Sequence, residues 1–219
     1  MYQDRLIVFD LDGTLVDTLD DLTASANRLL ATHDRLPIAA GRVRLMVGDG
    51  IAALVRRVLA YAKVDTDESA AMAAFGADYE ANAAAQSRLF PGVAATLLHL
   101  RRRGFSLAVC TNKPVAAAQT LLAALEIAPL LAAIGGGDSF AGRKPDPAHL
   151  LGTVARAGGA PSRAIMVGDH ANDVAVARAC AMPCVFALWG YGPPDMAMGS
   201  NAQAETIVEV PALAERLLS

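Results

Sequence analysis

Residues 5–14 read Arg5-Leu6-Ile7-Val8-Phe9-Asp10-Leu11-Asp12-Gly13-Thr14. The first half is short, β-branched and continuously apolar, as expected of a strand buried on both faces; a strand with one face in water would alternate. The second half sets two carboxylates one residue apart where that strand ends. An apolar setting does not tolerate them unpaired. A divalent cation resolves their repulsion, and magnesium in particular takes one or two carboxylates and fills its shell with water and phosphate oxygens. Gly13 lets the backbone turn sharply behind them. Alone, Asp-x-Asp-Gly reads first as an acidic turn or a calcium-type loop, so the surrounding chain decides.

Runs of the same kind recur at 105–110, 164–167 and 184–188, with weaker ones at 131–134 and 206–210. Between them Val115, Leu121, Leu122 and Leu125 share a helical face, as do Leu150, Leu151 and Val154. Strand alternating with helix predicts an α/β fold, a Rossmann-like parallel sheet covered by helices. Residues 17–89 break the alternation. Helical spacing appears at Leu19, Leu22, Ala26, Leu29 and Leu30, then at Ile51, Leu54, Val55, Val58 and Leu59, and the alanine-rich stretch 70–85 favours helix by propensity. Phe90-Pro91-Gly92 then supplies a stop. The predicted organisation is a core of residues 1–16 and 90–219 with an inserted all-helical module, 17–89. Two short connections near Val16 and Leu89 are placed to act as a hinge.

Bulk properties narrow the function classes. A chain of 219 residues with 54% hydrophobic and 19% charged residues buries a real core and does not read as disordered. The net charge of -3 lacks the basic excess that nucleic-acid or anionic-membrane partners require, and Arg101 to Arg103 read as a solvated helix end. Cys110, Cys180 and Cys184 match no zinc spacing and read as free thiols in a reducing cytosol. No cationic leader precedes the first apolar run, and no run approaches the ~18 residues of a membrane span. A cytoplasmic protein is expected.

Further polar groups fall at other predicted strand ends: Thr111-Asn112, Lys144, and Gly168-Asp169 through Asp173. Each has a bland reading, as a helix cap or a surface lysine before a turn. In open parallel sheets, however, ligands gather at the carboxyl ends of the strands, so these groups are expected to converge with Asp10 and Asp12 on one crevice.

These ordered motifs, Phe-Asp-Leu-Asp-Gly-Thr at 9–14, Thr111, Lys144 and Gly168-Asp169 with Asp173, resemble those of the haloacid dehalogenase superfamily of phosphotransferases across nearly the whole chain. The resemblance implies that Asp10 is the nucleophile and Asp12 the general acid and base. It makes Thr111 and Lys144 phosphate-binding, with Asn112 beside them, and places Asp10, Asp12 and Asp169 at a Mg2+ site. Residues 17–89 become a helical cap. Asp173 takes a supporting role, orienting the metal shell or pairing with Lys144. Asp12 argues against the dehalogenase and phosphonatase branches, which lack a second carboxylate there. Phosphomutase relatives carry an acidic residue where this chain has Gly168, and that favours hydrolysis.

The finer resemblance is to the phosphoglycolate phosphatase branch, through Leu15-Val16-Asp17-Thr18, Val47-Gly48-Asp49-Gly50 and Trp189-Gly190-Tyr191-Gly192. It implies a small phosphorylated metabolite as substrate; a sugar phosphate such as N-acetylmuramate 6-phosphate, pyrophosphate or a nucleotide is the alternative. Gly48, Asp49 and Gly50, with Arg44, are candidates for substrate specificity in the cap, although Gly48 to Gly50 read equally as an interhelical turn and Arg44 as a surface residue. His170 reads as incidental, and His33, His99 and His149 show no partners. A non-catalytic binding module on the same fold is a further reading, disfavoured by the presence of Asp10, Asp12, Lys144 and Asp169. The quaternary state is open between monomer and homodimer.

Overall fold

The computed structural model describes residues 5–82 and 84–219. Residues 1–4, within the predicted core, and Ala83, within the predicted helical stretch, lie outside the described residues. The apolar run after Arg5 forms β1 (Leu6–Phe9), all four residues buried. The chain then turns through β2 (Val16–Asp17) into four helices: α1 (Leu19–Ala31), α2 (Ala40–Arg44), α3 (Ile51–Ala62) and α4 (Glu68–Asn82). It returns by β3 (Arg88–Leu89), which pairs antiparallel with β2 so that Val16 faces Leu89 and Asp17 faces Arg88. From there strand and helix alternate: α5 (Val93–Arg102), β4 (Ser106–Cys110), α6 (Val115–Ala124), β5 (Ala133–Gly135), α7 (Pro147–Arg156), β6 (Ala164–Gly168), α8 (Ala171–Ala179), β7 (Cys184–Ala187), β8 (Ala202–Ala204) and α9 (Val210–Leu217).

The six long-range strands lie in the order β5-β4-β1-β6-β7-β8, every pair parallel, with β1 near the middle. Alternate residues of each strand enter opposite layers. Ile7, Phe9, Leu107, Val109, Ile165 and Val167 pack with Val93, Leu97, Leu121 and Val210 from α5, α6 and α9. Leu6, Val8, Ala108, Cys110, Met166 and Phe186 pack with Leu150, Val154, Val174 and Ala177 from α7 and α8. Both faces are covered, which is why the strands read as unbroken apolar runs. Helices α1 to α4 close a third cluster of their own around Leu22, Leu30, Val55, Val58, Phe75 and Tyr79. Asp21 ties its start to its end, accepting the backbone N–H groups of Gln86 and Ser87 at 2.9–3.1 Å.

One expected strand is not there. Residues 206–210 form a single 3-10 turn, Ile207–Glu209, that leads into α9. Thr206 and Glu209 make a capping box, and Pro211 sits in the first turn of α9, so helix-start chemistry overrides the β-branched Ile207, Val208 and Val210. The edge of the sheet is instead β8. Cys110, Cys180 and Cys184 are free thiols, the first and last of them buried. Arg101, Arg102 and Arg103 are exposed at the end of α5, as expected, with Arg103 paired to Glu215 at 2.5 Å. Among the described residues no helix is long and apolar enough to cross a membrane.

Candidate active site

The C-terminal ends of β1, β4 and β6, together with the loop beyond β5, carry the polar side chains to one crevice. Asp10 follows β1 directly. Its Oδ1 accepts the backbone N–H of Leu11 at 2.7 Å and pairs with Lys144 Nζ at 2.8 Å. Oδ2 has no hydrogen bond among the described residues. Lys144, 3% exposed, also reaches Asp173 Oδ1 at 2.7 Å. Asp173 uses its other oxygen to accept the backbone N–H of His170, in the capping box that starts α8. Asp169 accepts from the Thr14 hydroxyl at 2.8 Å and from the backbone N–H of Tyr191 at 2.7 Å. Gly13 is needed here twice over. Its φ is +84°, and an added Cβ would sit 2.4 Å from Asp169 Oδ2.

Oxygens of Asp10, Asp169 and Asp173 lie within 4.8 Å of one another. Three buried carboxylates lie around one ammonium, and burial with like charge raises two of them. Burial, reinforced by the charges of Asp173 and Asp12 and opposed by Lys144, pushes the Asp10 carboxyl up to about 6. Burial, with Asp10 and Asp173 behind it, pushes Asp169 up to about 7. For Lys144, burial favours the neutral amine, but Asp10 and Asp173 outweigh it and hold the ammonium well above the usual lysine range. An all-oxygen donor set with surplus negative charge fits a hard divalent cation.

A stability test follows. Unfolded, both aspartates titrate near 3.8. Between that pH and about 7 the folded protein keeps protons the unfolded chain has released, so without metal these two groups make stability fall as pH rises through the window. A bound divalent cation removes the penalty. Thermal melts with metal or EDTA at about pH 5 and about pH 7.5 are therefore expected to show a larger metal-induced rise in Tm at the higher pH. Equal rises at both would place the cation elsewhere.

Asp12 stands apart from this cluster. Its carboxylate accepts the Thr18 hydroxyl at 2.8 Å and both of its oxygens meet Lys113 Nζ, at 2.8 and 3.0 Å. The Thr111 hydroxyl accepts from the backbone N–H of Lys113, which leaves its proton to donate. Asn112 donates from Nδ2 to the carbonyls of Gly48 and Lys144, both at 3.1 Å, tying the helical insert to the core. Together Asp10, Asp12, Thr111, Asn112 and Lys113 form one wall of a cleft; Leu22, Val47, Gly48, Gly50, Ile51 and Leu54 of the insert form the other. The cleft is small, about 30 Å³.

The remaining candidates sit around the rim. The Asp49 carboxylate turns to Arg57 and to Asn172 Nδ2, the latter at 2.5 Å. Arg44 lies outside the cleft and donates to the carbonyls of Gly190 and Tyr191. It is the exposed surface residue expected, and it also straps insert to core. His149, expected to be without partners, is fully buried and accepts the Lys144 backbone N–H at 3.1 Å. Sequence reasoning passed over Lys113 and Tyr79, and gave Thr14 and Thr18 no role beyond their motifs. Lys113 had a local signal, a lysine directly after a polar pair at a strand end. The Trp189-Gly190-Tyr191-Gly192 stretch proves to be a buttress: Trp189 Nε1 donates to the Thr14 carbonyl, and Tyr191 holds Asp169 by its N–H and Asp17 by its hydroxyl.

A family model described as haloacid dehalogenase-like hydrolase matches residues 5–181. The chain belongs to the haloacid dehalogenase-like hydrolase family. It is 38% identical over 222 residues to a phosphoglycolate phosphatase of Agrobacterium fabrum, covering 98% of this chain and 94% of that one. It is 40% identical over 206 residues to a phosphoglycolate phosphatase of Rhodospirillum rubrum, covering 90% and 86%. A crystal structure of a predicted phosphoglycolate phosphatase from Haemophilus somnus superposes with a TM-score of 0.89 at 31% identity, over 97% of this chain and 99% of that one. As a haloacid dehalogenase-like hydrolase with such relatives, the chain is a phosphatase. Such enzymes generally use a divalent metal, and this carboxylate cluster could hold one.

Proposed function

We propose that this phosphatase hydrolyses a small phosphate monoester in two steps through a phosphorylated Asp10, with Mg2+ as its metal and 2-phosphoglycolate as its substrate. The observation that carries the mechanism is the division of labour between two aspartates on one cleft. Asp10 is pinned through Oδ1 and keeps Oδ2 unengaged, whereas Asp12 is held by a different lysine. Mg2+ held by Asp10 and Asp169, with Asp173 in support, would offset the charge between a carboxylate and a phosphate dianion.

Each step then belongs to a residue of this chain. Asp10 Oδ2 attacks phosphorus as the ester P–O bond breaks, and Asp12 gives its proton to the departing alkoxide. Asp12, now ionised, takes a proton from water; the resulting hydroxide attacks phosphorus, the bond to Oδ2 breaks, and inorganic phosphate leaves. The Thr111 hydroxyl and Lys144 stabilise the phosphoryl oxygens. Asp12→Asn is expected to lose about 10²- to 10⁴-fold in kcat on an alkyl ester. An activated aryl phosphate should still phosphorylate Asp10 quickly in that variant. Full turnover of the alkyl ester would rule out the acid and base role.

Residues 17–89 act as a cap on this reading. The cleft as it stands is small, about 30 Å³, so the substrate enters by movement about the β2 and β3 connections, and such a closed site excludes water during transfer. The names of the relatives support phosphoglycolate over sugar phosphates, pyrophosphate or nucleotides, and so does the small cleft. The absence of an acidic side chain at Gly168 disfavours a mutase, and the position is tight: an added Cβ would lie 2.2 Å from Asp173. Phosphate release is to be measured on 2-phosphoglycolate, amino-sugar 6-phosphates, hexose phosphates, nucleotides and pyrophosphate, with Mg2+ or EDTA. Mg2+-dependent turnover led by 2-phosphoglycolate is expected. A sugar phosphate turned over faster would overturn the substrate, and turnover in EDTA the metal.

A further inference from the structure

Lys113 has no role in the steps above, yet its side chain is as deeply placed as that of Lys144, at 2% exposure. An ammonium has three protons to donate. Those of Lys113 meet Asp12 Oδ1 at 2.8 Å, Asp12 Oδ2 at 3.0 Å and the Tyr79 hydroxyl at 2.8 Å. None is left for a substrate. Tyr79 comes from α4, is fully buried, and is stacked on Phe75 with ring centroids 6.0 Å apart. Its ring also lies 4.5 Å below the ammonium. The other hold on Asp12, the Thr18 hydroxyl, stands just before α1, so both sides of the clamp run into the helical insert.

We infer that Lys113 is a positioning residue that sets the Asp12 carboxylate over the cleft, and that Tyr79 completes the clamp only while α4 is packed against the core. Arrival of the insert and correct placement of the acid and base group are then one event. The inference rests on the role given to Asp12, so its test separates the two.

Lys113→Met keeps the length and burial of the side chain and removes the ammonium. Misplacement of a reacting group costs about 10²-fold, and a fall of that order in kcat on 2-phosphoglycolate, with KM little changed, is expected. With an activated aryl phosphate the first step needs no acid, so a burst of about one equivalent of phenolate should precede slow turnover, the second step alone being impaired. In an Asp12→Asn background, Lys113→Met should cost almost nothing more, since residues acting as a unit are not additive. Tyr79→Phe, which keeps the ring, should show the same pattern weakened to about tenfold or less. Thermal melts of all four variants exclude unfolding as the cause.

The outcomes are distinct. A raised KM with kcat intact would make Lys113 a substrate-binding group and overturn the inference. Additive losses in the Asp12→Asn background, or equal losses on both esters without a burst, would reduce Lys113 to a structural residue. An unaltered Tyr79→Phe would sever the link to α4. If Asp12→Asn itself kept full activity, the role of Asp12 would fail and the clamp with it.

Discussion

Asp10→Asn is expected to abolish turnover of every ester, by a factor on the order of 10⁴ or more, while leaving the protein folded and at least as stable in EDTA. The first half follows from the loss of the attacking oxygen. The second follows from the charge pattern around it. Three carboxylates crowd together with one buried ammonium, which pairs with Asp10 and Asp173, and burial, reinforced by the repulsion of like charge, raises Asp10 and Asp169. Removing one charge relieves that repulsion, and Lys144 retains Asp173 at 2.7 Å. Phosphate release and thermal melting on the same preparation check both halves. Turnover within tenfold of the parent would exclude Asp10 as nucleophile; a collapse in Tm would mean that the Asp10–Lys144 pair is needed for folding.

Lys144→Met should have the opposite profile, losing both activity and stability. It removes the cation that Asp10 and Asp173 share, and stranding a buried charge in this way costs roughly 3–5 kcal/mol. For a chain of this size that corresponds to a drop of roughly 10 °C in Tm. The sign of its pH dependence is fixed. Protonation relieves stranded carboxylates, so the deficit should be largest near about pH 7.5, shrink towards about pH 5, and be partly recovered by divalent metal. A Tm equal to that of the parent at the higher pH would show that the three carboxylates are stabilised without Lys144.

The core was legible because its signals are local. β1, β4, β6 and β7 each announce themselves by an apolar run, and Asp10, Thr111 and Asp169 follow their strands within a residue, so topology alone brings them together. Lys144 was harder, lying nine residues beyond the short β5, and its place in the site depends on a loop that Asn112 and His149 hold. What stayed hidden depends on the approach of the insert. The hold of Tyr79 on Lys113, of Arg44 on the Gly190 carbonyl and of Asn172 on Asp49 joins residues 34 to 146 positions apart, and no periodicity records such pairs. At 206–210 the miss had another cause. The β-branched composition favours a strand, and the Thr206 and Glu209 capping box overrides it.

The narrow β2–β3 ribbon also bears on how the chain finds its fold. Leu6 must pair with Ser106, a sequence separation of 100 residues, before the central strand gains its first partner. Most of that span is insert, and the ribbon brings its two ends to adjacent positions, Val16 against Leu89 and Asp17 against Arg88. Once α1 to α4 have collapsed on their own apolar cluster, the core experiences the whole excursion as a short hairpin, with a correspondingly smaller closure entropy. The non-local step of assembling a parallel sheet is thereby shortened.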